Sequence, residues 1–164
     1  MNGKMKAMVF YEAEEMSFEE TDIPKVIDID VLIKVKNVGI CSSDISYCSG
    51  DNPLETPDGK GPLVLGHEFT GEVVEVGIVP KKLGLFVEGD RVVVNPVQNC
   101  IACYSCSAGN INLCNNMNVS GVSVNVCFAE YNASRYIGLF KFSDNVSYGA
   151  GAFNEPLACV VYGI

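Results

Sequence analysis

Four cysteines fall within fifteen residues of this chain, as Cys100-x₂-Cys103-x₂-Cys106-x₇-Cys114, and that cluster restricts its folding more than any other feature. There are eight cysteines in all, the others being Cys41, Cys48, Cys127 and Cys159. The N-terminus, Met-Asn-Gly-Lys-Met-Lys, is followed within twenty residues by five glutamates and holds no apolar run long enough for a signal peptide. The expected location is therefore cytoplasmic, where thiols stay reduced and disulfides are rare. Four thiolates at such short spacing suit zinc, which has no geometric preference of its own and takes a closed tetrahedral shell in structural sites. Disulfides would need strained bridges between neighbouring cysteines. An iron–sulfur run of the ferredoxin type would end Cys-x₃-Cys-Pro, which is absent. Zinc with four thiolates carries net negative charge, yet no Asp, Glu, Lys or Arg occurs from Val92 to Ala129. Backbone N–H groups are then expected to offset it.

The remaining pattern is that of a mainly β domain. At 164 residues and 48% hydrophobic content the chain supports one packed core. Strands are predicted over residues 5–10, 16–20, 31–38, 69–76, 91–94, 128–136 and 139–142, with a helical turn at 42–49. Residues 50–62 and the Pro80-containing segment before Arg91 read as loops. Residues 95–120 show neither helical nor strand periodicity and are expected to form an irregular lobe. Pro156 suits the first turn of a helix beginning near Glu155.

The net charge of −9 argues against nucleic acid or an anionic membrane as partner. The uncharged run from Val92 to Ala129 is no membrane span, because eight asparagines interrupt it.

A second set of candidate ligands is scattered. His67, the only histidine, lies in Gly66-His67-Glu68-Phe69-Thr70-Gly71 continuing to Gly77, which fits G-H-E-x₂-G-x₅-G at every fixed position. That pattern is the signature core of zinc-containing alcohol dehydrogenases. Gly39-Ile40-Cys41-Ser42-Ser43-Asp44 resembles the same family's G-I-C-x-[ST]-D, Gly89-Asp90-Arg91-Val92 its G-D-R-V, and Phe128-Ala129-Glu130-Tyr131 its F-A-E-Y. Glu155-Pro156-Leu157-Ala158 resembles the E-P-L-A of its polyol, or sorbitol dehydrogenase-like, branch. The chain is thus similar along nearly its whole length to the N-terminal catalytic domain of the medium-chain family.

The resemblance implies a GroES-like, partly open β-barrel with short helices over residues 1–164, the structural-zinc lobe at 95–120 and the start of a linker helix at 155–164. It implies that Cys100, Cys103, Cys106 and Cys114 hold the structural zinc. Cys41 and His67 would hold a catalytic zinc, with Glu155 as third ligand or holding its water. One thiolate, one imidazole and one carboxylate leave a position open for an alcohol oxygen. Glu68 is expected nearby, approaching the metal as water and substrate exchange. It can share the ion with its neighbour His67 only where the backbone is irregular. Asp44 would accept the other ring N–H of His67, although a helix-capping role fits its position equally. Ser43 would receive the substrate proton.

Two departures concern proton release and branch. Ser46 stands where the family often has a histidine that passes the proton outward, and Ser42 follows Cys41 where polyol enzymes usually have glycine.

The implied reaction is oxidation of a secondary alcohol, a polyol or sugar alcohol, to a ketone with NAD or NADP. The complete enzyme would be a homo-oligomer whose nucleotide-binding Rossmann domain lies outside this chain. No G-x-G-x-x-G occurs in these residues, since Gly149-Ala150-Gly151 is followed by Asn154 where the third glycine belongs. The fragment alone is therefore expected to be inactive, with the four-cysteine site fuller than the other. Amino-acid or simple alcohol dehydrogenases are rival substrate classes, and a stand-alone, non-catalytic, zinc-stabilised interaction module is the rival function.

Overall fold

Residues 3–54, 56, 59–100, 102–119, 125 and 127–163 are described by the computed structural model. Pro57 of the expected loop, Ile101 and Ser120 of the lobe, and the terminal Ile164 lie outside them.

Strand β1 (Lys4–Glu12) turns back antiparallel into β2 (Glu15–Asp22) and also pairs with the short β4 (Leu63–Val64), giving the order β2-β1-β4. Met5, Ala7 and Val9 of β1 are buried while Lys4 and Lys6 are exposed, the period of two that puts one strand face on a core. The larger sheet runs β10 (Leu139–Lys141), β6 (Arg91–Val94), β5 (Phe69–Val76), β3 (Asp30–Val38), β9 (Tyr131–Arg135), with every pairing antiparallel. Val31, Leu32 and Ile33 are all buried, so the first half of β3 is covered on both faces, and exposed Lys34 and Lys36 restore the alternation beyond it. The bridge between Ala7 and Ala129, flanked by Met8 N–H to Phe128 C=O at 2.7 Å and Glu130 N–H to Lys6 C=O at 3.1 Å, ties β1 to the segment entering β9. The result is a partly open barrel. Its core gathers Val31, Ile33, Phe69, Val73, Val92 and Val94. Each such side chain contributes about 1.5–3 kcal/mol by leaving water.

Among the described residues, five short helices decorate the barrel. The predicted turn at 42–49 is helix α1 (Ser42–Ser49), held down by Tyr47 and Cys48 against Phe10, Leu63 and Leu65. The segment around Pro80, expected as loop, contains α2 (Ile78–Lys82). First-turn N–H groups have no acceptor within a helix, so a proline there sacrifices nothing. The lobe is largely irregular, with α3 (Tyr104–Ser107), a 3₁₀ turn at Ile111–Leu113 and a two-residue ladder of β7 (Val97–Gln98) with β8 (Asn118–Val119).

Helix α4 (Tyr148–Ala152) did not stand out in the sequence because two of its five residues are glycine. It is started by Ser147, whose hydroxyl accepts the Ala150 N–H at 3.1 Å, and pinned by Thr70 Oγ1, which donates to the Tyr148 carbonyl at 2.8 Å. Only Phe153 separates it from α5 (Asn154–Tyr162). No residue of α5 is buried. Among the described residues no helix is long and apolar enough to cross a membrane.

Candidate metal centre

Cys41 occupies the N-cap position of α1, with extended backbone angles. Its N–H donates to Asp44 Oδ2 at 2.9 Å, and its carbonyl accepts the Asp44 N–H at 3.1 Å, so the first helical turn fixes where the thiol stands. The other oxygen of Asp44 accepts the Gly66 N–H at 3.2 Å, and Asp44 is only 2% exposed. One buried carboxylate thus clamps both ligand-bearing segments. Its Oδ1 lies 3.8 Å from His67 Nδ1, beyond hydrogen-bond distance. The expected imidazole contact is replaced by two backbone contacts, one of them the capping role.

Residues 65–68 lie outside β4 and β5, and Gly66 adopts φ +89°, the left-handed region that favours glycine. A Cβ there would also sit 2.7 Å from Cys127 Sγ and the Phe128 ring. The Cys127 and Phe128 N–H groups both hold the Leu65 carbonyl, at 3.2 and 3.0 Å. This irregular stretch lets the adjacent His67 and Glu68 reach one place. Gly39 accommodates Glu68 from the other side: its N–H donates to the Glu68 carbonyl at 2.7 Å, and a Cβ on it would overlap the Glu68 carboxylate.

The outcome is a set of three ligand atoms, from Cys41, His67 and Glu68, all within 4.8 Å of one another. Donors 2.0–2.3 Å from a tetrahedral zinc lie about 3.5 Å apart, so the set suits that ion in chemistry and gathers its donors close to the spacing it needs. His67 Nδ1 is buried with no hydrogen-bond partner, an atom that a bound ion or an incoming acceptor would satisfy.

Glu155 is not among the three. It sits in the first turn of α5, half-buried, with its carboxyl pushed above the usual carboxylate range by burial, opposed by His67 and reinforced by Glu68. The next residue of α5, Pro156, lines one small cavity with Glu68, which sets this turn near the centre, and Cys159 Sγ lies 3.9 Å from Glu155 Oε1. Ser43 lies in the first turn of α1, half-buried.

In the lobe the sulfurs of Cys100, Cys103, Cys106 and Cys114 likewise all lie within 4.8 Å of one another. Backbone N–H groups do aim at them: Cys100 N donates to Cys114 Sγ and Cys103 N to Cys100 Sγ, both at 3.3 Å. N–H donation from Ala102 and then Cys103 lowers the Cys100 thiol to about 6, and donation from Cys106 and Asn115 lowers Cys103. Four soft donors already gathered in one place fit a closed zinc shell.

Three contributors escaped the sequence reading: Gly39 as the space beside Glu68, Cys127 as the floor under Gly66, and Thr70 as the anchor of α4. Gly39 and Thr70 lay inside the quoted motifs, but a motif states which residues recur and not what each touches.

The sequence profile of the alcohol dehydrogenase GroES-like domain matches residues 28–144. The chain belongs to that family. This GroES-like domain is 36% identical over its whole length to D-arabitol-phosphate dehydrogenase of Enterococcus avium, covering 44% of that protein. It is 34% identical to sorbitol dehydrogenase of Bacillus subtilis, with 96% of the chain matching 44% of the relative. An alcohol dehydrogenase structure from Escherichia coli CFT073, complexed with NADH, superposes with a TM-score of 0.84 at 32% identity, over 96% of this chain and 44% of the other. The GroES-like domain thus spans about half the length of the curated relatives it matches.

Proposed function

We propose that this chain is the metal-carrying catalytic part of a zinc-dependent dehydrogenase that oxidises a secondary alcohol, a polyol or sugar alcohol, to a ketone, with NAD or NADP as hydride acceptor. The supporting observation is the convergence of Cys41, His67 and Glu68 from two separate segments onto one point. A zinc ion held by these residues would polarise the alcohol oxygen and lower its pKa. Asp44 keeps the Cys41 and His67 segments at a fixed separation. Glu68 would supply the carboxylate, and Glu155, in the first turn of α5, would hold a water or take a ligand's place. Ser43, half-buried in the helical turn that follows Cys41, would receive the substrate proton, and with Ser46 in place of a histidine the proton would leave through water or cofactor hydroxyls. Cys100, Cys103, Cys106 and Cys114 would hold a second zinc with no open position, a purely structural ion.

Metal counting by native mass spectrometry tests this. In the longer protein two zinc ions per chain are expected, with Cys41→Ser and Cys103→Ser each losing one, while residues 1–164 alone should carry a full four-cysteine site and a partly filled or empty Cys41/His67 site. The longer protein that contains this domain is expected to reduce NAD or NADP with a polyol, whereas residues 1–164 alone show no turnover. A Cys41→Ser variant that keeps both ions, or activity that survives it, would refute the assignment.

A further inference from the structure

A cavity of about 460 Å³, within the usual size of small-ligand sites, is walled mainly by β1, β2, β4 and β9. It shares no described lining residue with the three-ligand centre or the four-cysteine lobe. Strand register decides its chemistry. Met5 pairs with Thr21 and Ala7 with Glu19, so Met5, Val9, Glu19 and Thr21 share one sheet face, while Lys4 and Lys6 point to the other. There Lys4 ion-pairs with Asp22 at 2.8 Å and Lys6 stands 5.7 Å from the Phe18 ring centre. Asp22 also borders the cavity, but its carboxylate is thus taken. Half-buried Glu19 accepts the Tyr11 hydroxyl at 2.9 Å on Oε1, and among the described residues it pairs with no lysine or arginine. Thr21 Oγ1 is buried with no hydrogen-bond partner, although buried hydroxyls are ordinarily paired. Tyr11 and Tyr131 bring aromatic rings to the cavity, and Met5, Val9, Val64 and Ala133 an apolar wall. We propose that this cavity binds a protonated primary amine with a short hydrocarbon chain, its ammonium held between Glu19 and Thr21 and its chain on the apolar wall.

The match is one of donors to acceptors. An ammonium carries three donors and no acceptor, and a carboxylate oxygen and a hydroxyl both accept. Residues two apart on a strand set their Cβ atoms roughly 6.5 Å apart, a gap that one nitrogen bridges with two hydrogen bonds of about 2.8 Å. Tyrosine rings attract a cation through their negative faces. An anion would meet Glu19 with no basic residue to receive it, because no lysine or arginine borders the cavity among the described residues. A neutral alcohol of the same length would fill the apolar wall but forgo the charge-assisted bond. The site is separate from the dehydrogenase chemistry proposed above and does not depend on it.

The test labels the methionine methyl groups of the zinc-loaded chain with carbon-13 and follows the Met5 signal, assigned through Met5→Leu, while hexylamine, 1-hexanol and hexanoate are titrated at neutral pH. Hexylamine is expected to move the Met5 signal to saturation. Hexanol should need at least about tenfold higher concentration, and hexanoate more still, with the gap narrowing as salt screens the charge. Glu19→Gln keeps the acceptor for Tyr11 and removes the charge, so it should weaken hexylamine by about tenfold and leave hexanol unchanged. Thr21→Val, similar in shape but without the hydroxyl, should weaken hexylamine by a smaller factor. Hexanol binding as tightly as hexylamine, or an amine-to-alcohol ratio unmoved by Glu19→Gln, overturns the inference. So does a Met5 signal that hexylamine leaves in place, the result expected if the amine merely ligates zinc.

Discussion

Replacing Asp44 separates the part of the fold that builds the site from the part that merely supports it. Its carboxylate accepts the Cys41 N–H at 2.9 Å and the Gly66 N–H at 3.2 Å while 2% exposed. A hydrogen bond to a charged group contributes about 1.5–3 kcal/mol. In Asp44→Asn one oxygen remains as acceptor and the NH₂ faces the other N–H, so one bond is lost, at about 2–3 kcal/mol. Asp44→Ala loses both and leaves two donors unpaired, at about 3–6 kcal/mol, a large share of the 5–15 kcal/mol typical of a domain. Urea unfolding followed by circular dichroism measures the first quantity. Competition with a chromophoric chelator measures the second, metal affinity at each site. Asp44→Asn is expected to weaken the Cys41/His67/Glu68 site by about 10–100-fold, as loss of supporting hydrogen bonds does. The four-cysteine site, built on a different segment, should keep its affinity. Stability unchanged within about 0.5 kcal/mol, the scatter of ordinary surface substitutions, with both metals retained, would refute the idea that Asp44 clamps the two segments.

Two further perturbations probe neighbouring parts of the molecule. Gly66→Ala forces a side chain onto φ +89° and into Cys127 and Phe128, and should cost about 2–4 kcal/mol in the same unfolding assay; a neutral result would show that residues 65–68 yield easily. In the metal-free chain Cys100 should be alkylated by iodoacetamide with a midpoint near about 6, because its lowered pKa leaves thiolate above that value and thiol below it. Cys127, pushed well up by burial and by the Asp44 and Glu68 charges, should stay unlabelled, and peptide mass mapping of the two sites decides the matter.

What was legible in the sequence is what local chemistry dictates. The alternation of Ile33 and Val35 with Lys34 and Lys36 marked β3, and residues 5–10, 16–20, 69–76 and 91–94 also read as strands, where β1, β2, β5 and β6 lie. The clustering of four thiols predicted the lobe's ligand set because the whole set lies on one stretch of chain. The other centre was legible only through motifs, since nothing in spacing alone says that Cys41 meets His67. Whether Glu68 or Glu155 stands closer depended on the backbone at residues 65–68 and on where Thr70 anchors α4, both long-range matters. Helices α2 and α4 were hidden by Pro80 and by Gly149 and Gly151, residues that disfavour helix interiors but are tolerated in five-residue helices. The lone β4 strand of two residues is too short to carry a period at all.

Among the described residues, strand β2 is the outermost of its sheet and pairs only with β1, so one row of its amides and carbonyls faces outward. Along that rim stand Glu15, Glu19, Glu20 and Asp22. Were another copy to add a strand there, carboxylates would be laid against carboxylates, each opposed pair unfavourable. The acidity of this stretch therefore acts as a fence, keeping an otherwise adhesive border from templating ribbon growth between chains.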